Sequence, residues 1–349
     1  MDLVLDIVDE LILDRVYAAA LPLPVFLPKE AGNTMASAVP QPTPSLWTSV
    51  IRTLPHPPVA HAINTVGKIA AHSSTLPSWL LKYASPGVTA SAWPRDYIPR
   101  QLISLSVVTL IGIHILYFVF AALSYYLIFD HNMMKHPKFL KNQVKLEIQF
   151  ALSAFPGMTL LTLPWFLGEV RGYSQLYDDP AEYGYTYLVL SVPFFLVFTD
   201  YLVYWVHRLL HHPRLYKHVH KPHHKWLIPT PFASHAFHPV DGYAQSVPYH
   251  LFIFLFPLQR WVYLGLFVAV NFWAIFIHDS DMISGNTFIN IINGPAHHTL
   301  HHLYFTCNYG QYFTWADRWG GSYKHPSPEF DPMNDIKLVD AAAAKHKSD

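Results

Sequence analysis

Residues 185–224 read YTYLVLSVPFFLVFTDYLVYWVHRLLHHPRLYKHVHKPHH, and this stretch decides the fold. Its first part, residues 185–206, carries Asp200 as its only charge. That part is long enough to cross a hydrocarbon core of about 30 Å, which takes roughly 20 helical residues. Histidines follow at once, at positions 207, 211, 212, 218, 220, 223 and 224. The pattern predicts a membrane helix that delivers a cluster of imidazoles to the membrane surface.

The composition of the whole chain agrees with a membrane protein. Of the 349 residues, 52% are hydrophobic and only 13% are charged, about half the charged fraction of an ordinary soluble domain. Lys plus Arg and Asp plus Glu are balanced at 23 each, so no net charge points to nucleic acid or to an acidic substrate. The single cysteine, Cys307, excludes an intramolecular disulfide and argues against a thiolate metal site. Histidine, with 23 copies, is the anomaly.

Two further apolar stretches, residues 102–129 and 148–167, are each expected to cross the bilayer once. The loop after the first holds four lysines, whereas the loop after the second is mainly acidic. Cytosolic loops carry the excess of Lys and Arg. The first loop is therefore predicted to be cytosolic, and the third span then delivers His207 to the cytosol, where the C-terminus also lies.

A fourth apolar region, residues 249–277, is interrupted by Pro257, Gln259 and Arg260, so we expect a hairpin that enters the bilayer and returns. A hairpin would bring His278 back to the side where His207 leaves the membrane. The predicted fold class is all-α: an integral membrane helical bundle of three spanning helices plus a membrane hairpin. A cytosolic, helical, histidine-rich metal site caps this bundle.

The chain divides into four parts. Residues 1–100 are rich in Pro, Ala and Ser, and we expect a poorly defined, partly disordered N-terminal region. Residues 101–184 hold the first two transmembrane helices, residues 185–326 the catalytic domain, and residues 327–349 a cytosolic tail. The tail ends in Lys345-His346-Lys347-Ser348-Asp349, which is similar to the di-lysine signal that returns membrane proteins to the endoplasmic reticulum.

The histidines fall into three boxes with helical spacing. The boxes are His207 and His211; His220, His223 and His224; and His298, His301 and His302. Residues at i, i+3 and i+4 lie on one face of a helix. Each box is therefore expected to present its imidazoles toward one point.

The number of imidazoles indicates more than one metal ion. Imidazole nitrogen suits iron, zinc, copper and nickel, and one ion takes roughly four to six ligands. Eight box histidines exceed that need, so we predict two ions that share a site. His278 and His238 are expected to complete the two sets of ligands. Four histidines near the boxes lack the repeating spacing and stay open as ligands: His212, His235, His250 and His297.

Carboxylates are expected to orient the ligands, because a ligating imidazole usually donates its other N–H to a carboxylate or a carbonyl. Asp200 lies two helical turns before His207 within an apolar span, where an acid is costly. Asp200 and Asp317 are the preferred candidates. Asp241 and Asp279 are weaker ones, since each also fits an ordinary capping or solvated residue.

The three boxes together resemble those of the fatty acid hydroxylase and sterol desaturase superfamily. Two flanking stretches narrow the resemblance to the sterol C-5 desaturases, also called lathosterol oxidases. These stretches are HKPHHKWLIPTPFASHAFHPVDGYAQ at residues 220–245 and HHLYFTCNYGQYFTWADRWGGSYKHP at residues 301–326. The resemblance covers roughly residues 185–326. It departs at Ala274, where related hydroxylases place another histidine, and His238 is expected to replace it.

The resemblance implies an O2-dependent oxidoreductase that introduces the C5–C6 double bond into a Δ7-sterol, of the episterol type in ergosterol biosynthesis. The implied cofactor is a pair of non-haem iron ions. Electrons would come from NADH through cytochrome b5 and its reductase, and the sterol would enter from the membrane. The implied location is the endoplasmic reticulum membrane. An unactivated C–H bond independently calls for a cofactor-bound oxidant.

Aromatic residues around the third box are candidates for the wall of a sterol slot, above all Tyr304, Phe305 and Trp315; interfacial packing is the alternative explanation. Two other functions stay open. A sterol C-4 methyl oxidase or a fatty acid or sphingolipid hydroxylase of the same superfamily would use the same metal chemistry. A histidine-rich metal transporter is more remote, because transporters usually place their ligands within the spans.

Overall fold

The computed structural model describes residues 1–26, 45–71, 91–282 and 287–348. Within these residues the protein is mostly helical. The α-helices are α1 (Asp2–Val8), α2 (Asp14–Ala20), α3 (Leu46–Ile51), α4 (Val59–Ala71), α5 (Ile98–Leu127), α6 (Gln143–Val170), α7 (Tyr185–Leu210), α8 (Pro213–Leu215), α9 (Pro239–Leu255), α10 (Arg260–Phe276), α11 (Pro295–Tyr304), α12 (Trp315–Trp319) and α13 (Met333–Ser348).

Shorter turns and one small sheet complete the described fold. The 3₁₀ turns are Leu23–Phe26, His131–Lys135, His223–Lys225, Pro231–His235, Thr287–Asn290 and Pro328–Phe330. The π-helical turns are Asp9–Leu13 and Tyr216–His220. Strands β1 (Leu176–Tyr177) and β2 (Leu258–Gln259) pair in parallel.

Three helices, α5, α6 and α7, are long and apolar enough to span a membrane. The predicted multi-pass membrane fold is therefore confirmed. Each helix begins or ends a few residues away from the predicted limits. The largest difference is at the start of α6, which begins at Gln143 and includes Glu147, whereas the hydropathy pattern placed the span at residues 148–167. The helix continues through this acid because the side chain of Glu147 is fully buried and hydrogen-bonded.

Helices α9 and α10 occupy the region where the sequence indicates a hairpin. The Gln259 side chain begins α10 by accepting the backbone N–H groups of Trp261 and Val262, which satisfies two of the donors that a helix start leaves free. Helix α10 ends just before His278, whose imidazole meets that of His223. The end of the hairpin thus returns to the histidine boxes, as expected.

The helices and loops around the boxes share a buried core. Tyr117, Phe155, Trp226, Phe232 and Ile275 pack together, so α5, α6 and α10 enclose the segment that follows the second box. On the outward faces of the spans, large apolar side chains stay exposed; they include Ile111, Ile115, Leu160 and Val189. Exposed apolar side chains in such numbers are typical of helices in contact with lipid.

The described residues form two compact units: the first comprises those within residues 1–108 and 169–171, and the second comprises the rest. In the first unit, Arg100 forms buried ion pairs with Asp9 and Asp14 at 2.7 and 2.6 Å, and its guanidinium lies over the ring of Tyr17. The described part of the first hundred residues therefore contains helices and an organised polar cluster. The four-part division of the chain remains a prediction.

Candidate metal centre

Nine histidines converge in the second unit and form two neighbouring groups. Within each group, one ligand atom per residue lies within 4.8 Å of all the others. The five-histidine group consists of His207, His211, His220, His224 and His301. The four-histidine group consists of His223, His278, His298 and His302. Nine of the ten ligands predicted from the sequence are thus brought together.

Local structure explains how each element presents its histidines. His207 lies in the last turn of α7, and His211 is the residue at which that helix ends. The second box is divided between the π-helical turn that ends at His220 and the 3₁₀ turn that begins at His223. The third box lies on α11, which starts with Pro295 at its first position, a favoured place for proline.

The expectation that each box points its imidazoles toward one place is wrong for the second and third boxes. His220 and His224 belong to the five-histidine group, whereas His223 between them belongs to the other. On α11, His301 joins the five-histidine group and His302 the four-histidine group. Neighbouring positions on a helix point about 100° apart, so α11 lies between the two groups and serves both.

The spacing of the Nε2 atoms fits a shared ion. In the five-histidine group the Nε2 atom of His224 lies 3.1 Å from those of His211, His220 and His301. In the four-histidine group the Nε2 atom of His298 lies 3.0 Å from that of His278 and 3.1 Å from that of His302. Two nitrogens at about 2.1 Å from one ion and about 90° apart would be separated by about 3.0 Å.

Hydrogen bonds on the opposite ring nitrogens show that lone pairs meet in the five-histidine group. The Nδ1 atom of His207 lies 3.0 Å from the carbonyl oxygen of Tyr309, and that of His220 lies 2.7 Å from a carboxylate oxygen of Asp241. Both oxygens accept, so both Nδ1 atoms carry the proton. In the neutral imidazole, the form that binds a metal ion, each Nε2 atom then carries a lone pair. These two Nε2 atoms are 3.1 Å apart, an arrangement that a cation between them would satisfy.

The same arrangement recurs in the four-histidine group. The Nδ1 atom of His278 donates to the carbonyl oxygen of Ala274 at 2.6 Å, and that of His223 donates to the carbonyl oxygen of Ala236 at 3.4 Å. The two Nε2 lone pairs then face each other at 3.3 Å. Neutral imidazoles cannot bond to each other in this way. Both groups therefore have the donor set and the tautomers of a metal site.

Protonation does not offer an alternative explanation near neutral pH for five of the imidazoles. Burial, together with the neighbouring imidazoles, lowers the pKa of His223 to about 3. Burial and neighbouring imidazoles likewise hold the pKa values of His224, His298, His301 and His302 well below the usual 6.5. The neutral imidazole is the form that binds a metal ion.

The carboxylates are arranged differently from the prediction. Asp241, the weaker candidate, is the one that accepts from an imidazole, that of His220. Asp200 instead accepts the backbone N–H groups of residues 311–313, at 2.7 to 3.3 Å. Asp317 accepts those of Tyr309 and Gly310, each at 2.8 Å. Asp200 and Asp317 therefore hold the loop whose Tyr309 carbonyl orients His207. They act on this imidazole through the loop and do not accept a hydrogen bond from it, contrary to the prediction from the sequence.

The structure does not bring His238 to either group. Its Nδ1 atom accepts the backbone N–H of Val240 and caps the start of α9, a role that histidine shares with other residues able to accept there. The position at Ala274 contributes its carbonyl oxygen to His278 in place of a side chain. Four other histidines lie outside both groups: His212, His235, His250 and His297.

The aromatic candidates differ in their distance from the metal centre. The ring of Phe305 lies 5.0 Å from that of His224. Trp315 stacks on Tyr201 at 5.6 Å, and Tyr304 packs against Phe330. Phe305 is thus the one of the three that contacts a ligand residue. Its backbone is left-handed, with φ 66°, and it ends helix α11.

Sequence reasoning missed several groups that orient the imidazoles. Four of them are backbone carbonyls, those of Ala236, Ala274, Cys307 and Tyr309, for which no residue type gives a signal. Glu147 was missed as well, although an acid beside an apolar segment is a recognisable signal. The hydropathy limit at residue 148 excluded it.

A mostly helical membrane bundle that gathers nine imidazoles defines the chain as a membrane protein of the histidine-box type. The fatty acid hydroxylase family matches residues 192–322. Lathosterol oxidase of Rattus norvegicus is 58% identical over 247 residues, which cover 70% of this chain and 83% of that protein. A Δ7-sterol 5(6)-desaturase of Gibberella zeae is 57% identical over 249 residues, 71% of this chain and 77% of that protein.

A Δ7-sterol 5(6)-desaturase of Leptosphaeria maculans is 47% identical over 335 residues, 94% of this chain and 87% of that protein. This match reaches into the first hundred residues, so similarity extends beyond residues 185–326. No solved structure matches the chain. The chain belongs to the Δ7-sterol 5(6)-desaturases, also named lathosterol oxidases, within the fatty acid hydroxylase family.

Proposed function

We propose that the chain introduces the C5–C6 double bond into a Δ7-sterol, of the episterol type, with two iron ions held by the nine histidines. The observation that carries this proposal is the opposition of Nε2 lone pairs, His207 to His220 and His223 to His278, in a chain that resembles sterol desaturases over most of its length. When bound, the iron pair would use O2 to remove hydrogen from an unactivated C–H bond.

The residues of the chain prepare the site for that chemistry. Four of the imidazoles are fixed in the tautomer that leaves Nε2 free, by the carbonyls of Tyr309, Ala236 and Ala274 and the carboxylate of Asp241; they are those of His207, His223, His278 and His220. Burial keeps the imidazoles of His223 and His298 neutral. The helices around the site exclude water, and the sterol, being lipid-soluble, would enter from the bilayer. His238 is not included among the proposed ligands.

The chain's surroundings are part of the proposal. Electrons would come from NADH through cytochrome b5 and its reductase. Lys217, Lys221 and Lys225 around the second box support a cytosolic site by the positive-inside rule. The sequence Lys345-His346-Lys347 would then return the protein to the endoplasmic reticulum. The last residue of that signal, Asp349, lies outside the described residues.

A sterol profile tests the proposal. Cells whose own Δ7-sterol 5(6)-desaturase gene is deleted should accumulate Δ7-sterols that lack the Δ5 bond, as measured by gas chromatography with mass spectrometry. This chain should restore the Δ5,7-diene, and its His301→Ala variant should not. Failure of the chain to restore the Δ5,7-diene would contradict C-5 desaturation. The appearance of a C-4-demethylated or hydroxylated product instead would contradict it as well. A change in cellular iron without any change in sterols would indicate a metal transporter.

A further inference from the structure

A buried acid on the second span is not explained by the ligands alone. Glu147 lies one turn into α6, and none of its side chain is exposed. Its carboxylate accepts hydrogen bonds from the Gln143 side-chain amide at 2.8 Å, from the Thr230 backbone N–H at 3.3 Å and from the Thr230 hydroxyl. An ionisable group is costly within a membrane helix and usually has a function there.

Its partner Thr230 belongs to a segment, residues 228–236, that is fixed along its length. Gln143 donates to the carbonyl of Ile228, Ser280 to that of Pro229, and Tyr117 to that of Phe232. These donors come from α6, from the residues after α10 and from α5. The segment therefore takes its position from three separate elements. Glu147 holds it at Thr230 through two hydrogen bonds.

The segment ends at a group that touches the metal centre. The carbonyl of Ala236 accepts from Nδ1 of His223 at 3.4 Å and from the indole N–H of Trp226 at 3.3 Å. Both bonds are long, so a small shift of the segment would release them. By contrast, His220 of the same box is held by the carboxylate of Asp241 at 2.7 Å.

We propose that Glu147 and Thr230 form a clamp that positions Ala236, and through it His223, so that the four-histidine group can bind its ion. The clamp positions a ligand and touches neither substrate nor metal. Glu147 precedes residues 192–322, so the second span contributes to the metal centre in this way. The inference rests on the proposed two-metal function.

Two substitutions at Thr230 test the clamp with little change in volume. Thr230→Val keeps the shape and loses the hydroxyl, whereas Thr230→Ser keeps the hydroxyl. Each protein is purified in detergent and reconstituted anaerobically with iron. Elemental analysis gives the number of ions bound, and competition with a chelator gives their affinity. Thr162→Val on α6, the helix that carries Glu147, is the control, because that hydroxyl donates to the carbonyl of Met158 within its own helix.

The expected result is selective loss of one ion. Thr230→Val should lower the affinity for one of the two ions by about 10- to 100-fold, the usual effect of removing a group that orients a ligand. Thr230→Ser and Thr162→Val should retain both ions with wild-type affinity. Glu147→Gln should show the same selective loss as Thr230→Val. Cobalt(II), bound in place of iron, should give an altered visible spectrum in Thr230→Val. The spectra of Thr230→Ser and Thr162→Val should match that of the wild type.

Three outcomes would overturn the clamp. The first is retention of both ions, with an unchanged cobalt spectrum, by Thr230→Val. The second is an equal loss of affinity for both ions, which would indicate a general effect on the fold. The third is loss of an ion by Thr162→Val. A wild-type protein that binds no iron would instead overturn the metal centre itself, so the two failures are distinguishable.

Discussion

The five-histidine group and the four-histidine group share the second and third boxes, yet their imidazoles are oriented by different kinds of partner. The five-histidine group includes His220, whose Nδ1 atom donates to the carboxylate of Asp241. Among the described residues, no carboxylate is hydrogen-bonded to an imidazole of the four-histidine group, where His223 and His278 donate to backbone carbonyls. The first group thus has one more ligand and a negative charge that the second lacks.

This difference predicts unequal affinities. A carboxylate raises the basicity of the imidazole that donates to it and offsets part of the charge of a divalent ion. We therefore expect the five-histidine group to hold its ion more tightly. The four-histidine group depends on the position of its backbone, which is set by the 228–236 segment and the end of α10. The comparison can be tested by changes that affect one group at a time.

The largest effect should follow from the loss of a ligand. His301 and His302 are neighbours on α11 but belong to different groups. His301→Ala and His302→Ala should each lower sterol turnover by more than about 100-fold and each remove one ion, a different one in each variant. Turnover in isolated membranes and elemental analysis measure the two effects. His297→Gln on the same helix is the control, and near-normal turnover in either alanine variant would exclude the assigned ligand.

A smaller effect should follow from removing the charge of Asp241. Asp241→Asn keeps an oxygen that can accept from His220 but carries no charge. We expect the affinity for one ion to fall by about 10- to 100-fold, and the two groups to become more alike in a chelator competition. Asp178→Asn is the control, since that carboxylate is exposed and pairs with Arg260. If Asp241→Asn left the order of ion release unchanged, the carboxylate would not account for the difference.

Acidification should weaken the metal-free protein. The pKa of an imidazole is near 6.5 in an unfolded chain, whereas burial lowers that of His223 to about 3 and that of His302 well below 6.5. Below pH 6.5 the unfolded state binds more protons, so the stability present at neutral pH is lost as the pH falls toward the folded values. The thermal midpoint of chelator-treated protein should decline from about pH 7 to about pH 5.

The slope of that decline is the informative quantity. His302→Gln removes one of the imidazoles that stay neutral in the fold, so its midpoint should depend less steeply on pH than that of the wild type. A wild-type midpoint that is constant over this range would contradict neutral, buried imidazoles in the metal-free protein.

The smallest effects should distinguish the aromatic residues around the third box. Phe305 contacts His224, so Phe305→Leu should reduce turnover several-fold. Trp315→Leu should leave turnover within about two-fold, because Trp315 stacks on Tyr201 and away from the imidazoles. The same sterol assay measures both. A larger loss of turnover for Trp315→Leu would support the prediction from the sequence that Trp315 lines a sterol slot.

The sequence predicted the parts of the protein that depend on residue type and period. The spans at α5, α6 and α7 follow from apolar length. Eight of the nine converging histidines follow from the spacing of the boxes, and His278 follows from the expected hairpin. His238 was included because Ala274 lacks an imidazole, but a helix cap explains its position. The division of the second and third boxes between two groups could not be predicted, because it depends on how α11 lies against turns that are not regular helices.

The groups that orient the ligands were harder to predict for a physical reason. Backbone carbonyls such as those of Ala236 and Ala274 orient an imidazole by their position, and any residue type can supply one. Asp200 was correctly noticed as a costly acid in a span, but its partners are the N–H groups of a loop 111 to 113 residues later. Sequence gives the cost of such a group, whereas the fold decides what satisfies it.

The central claim is that nine histidines hold two ions. The most direct measurement is the iron content of the full-length protein, purified in detergent and reconstituted anaerobically, relative to its protein concentration from amino-acid analysis. Two iron ions per chain, released in two separate steps by a chelator, are the predicted result. One ion per chain, or none, would contradict the account. The close Nε2 contacts of His207 with His220 and of His223 with His278 would then need another explanation.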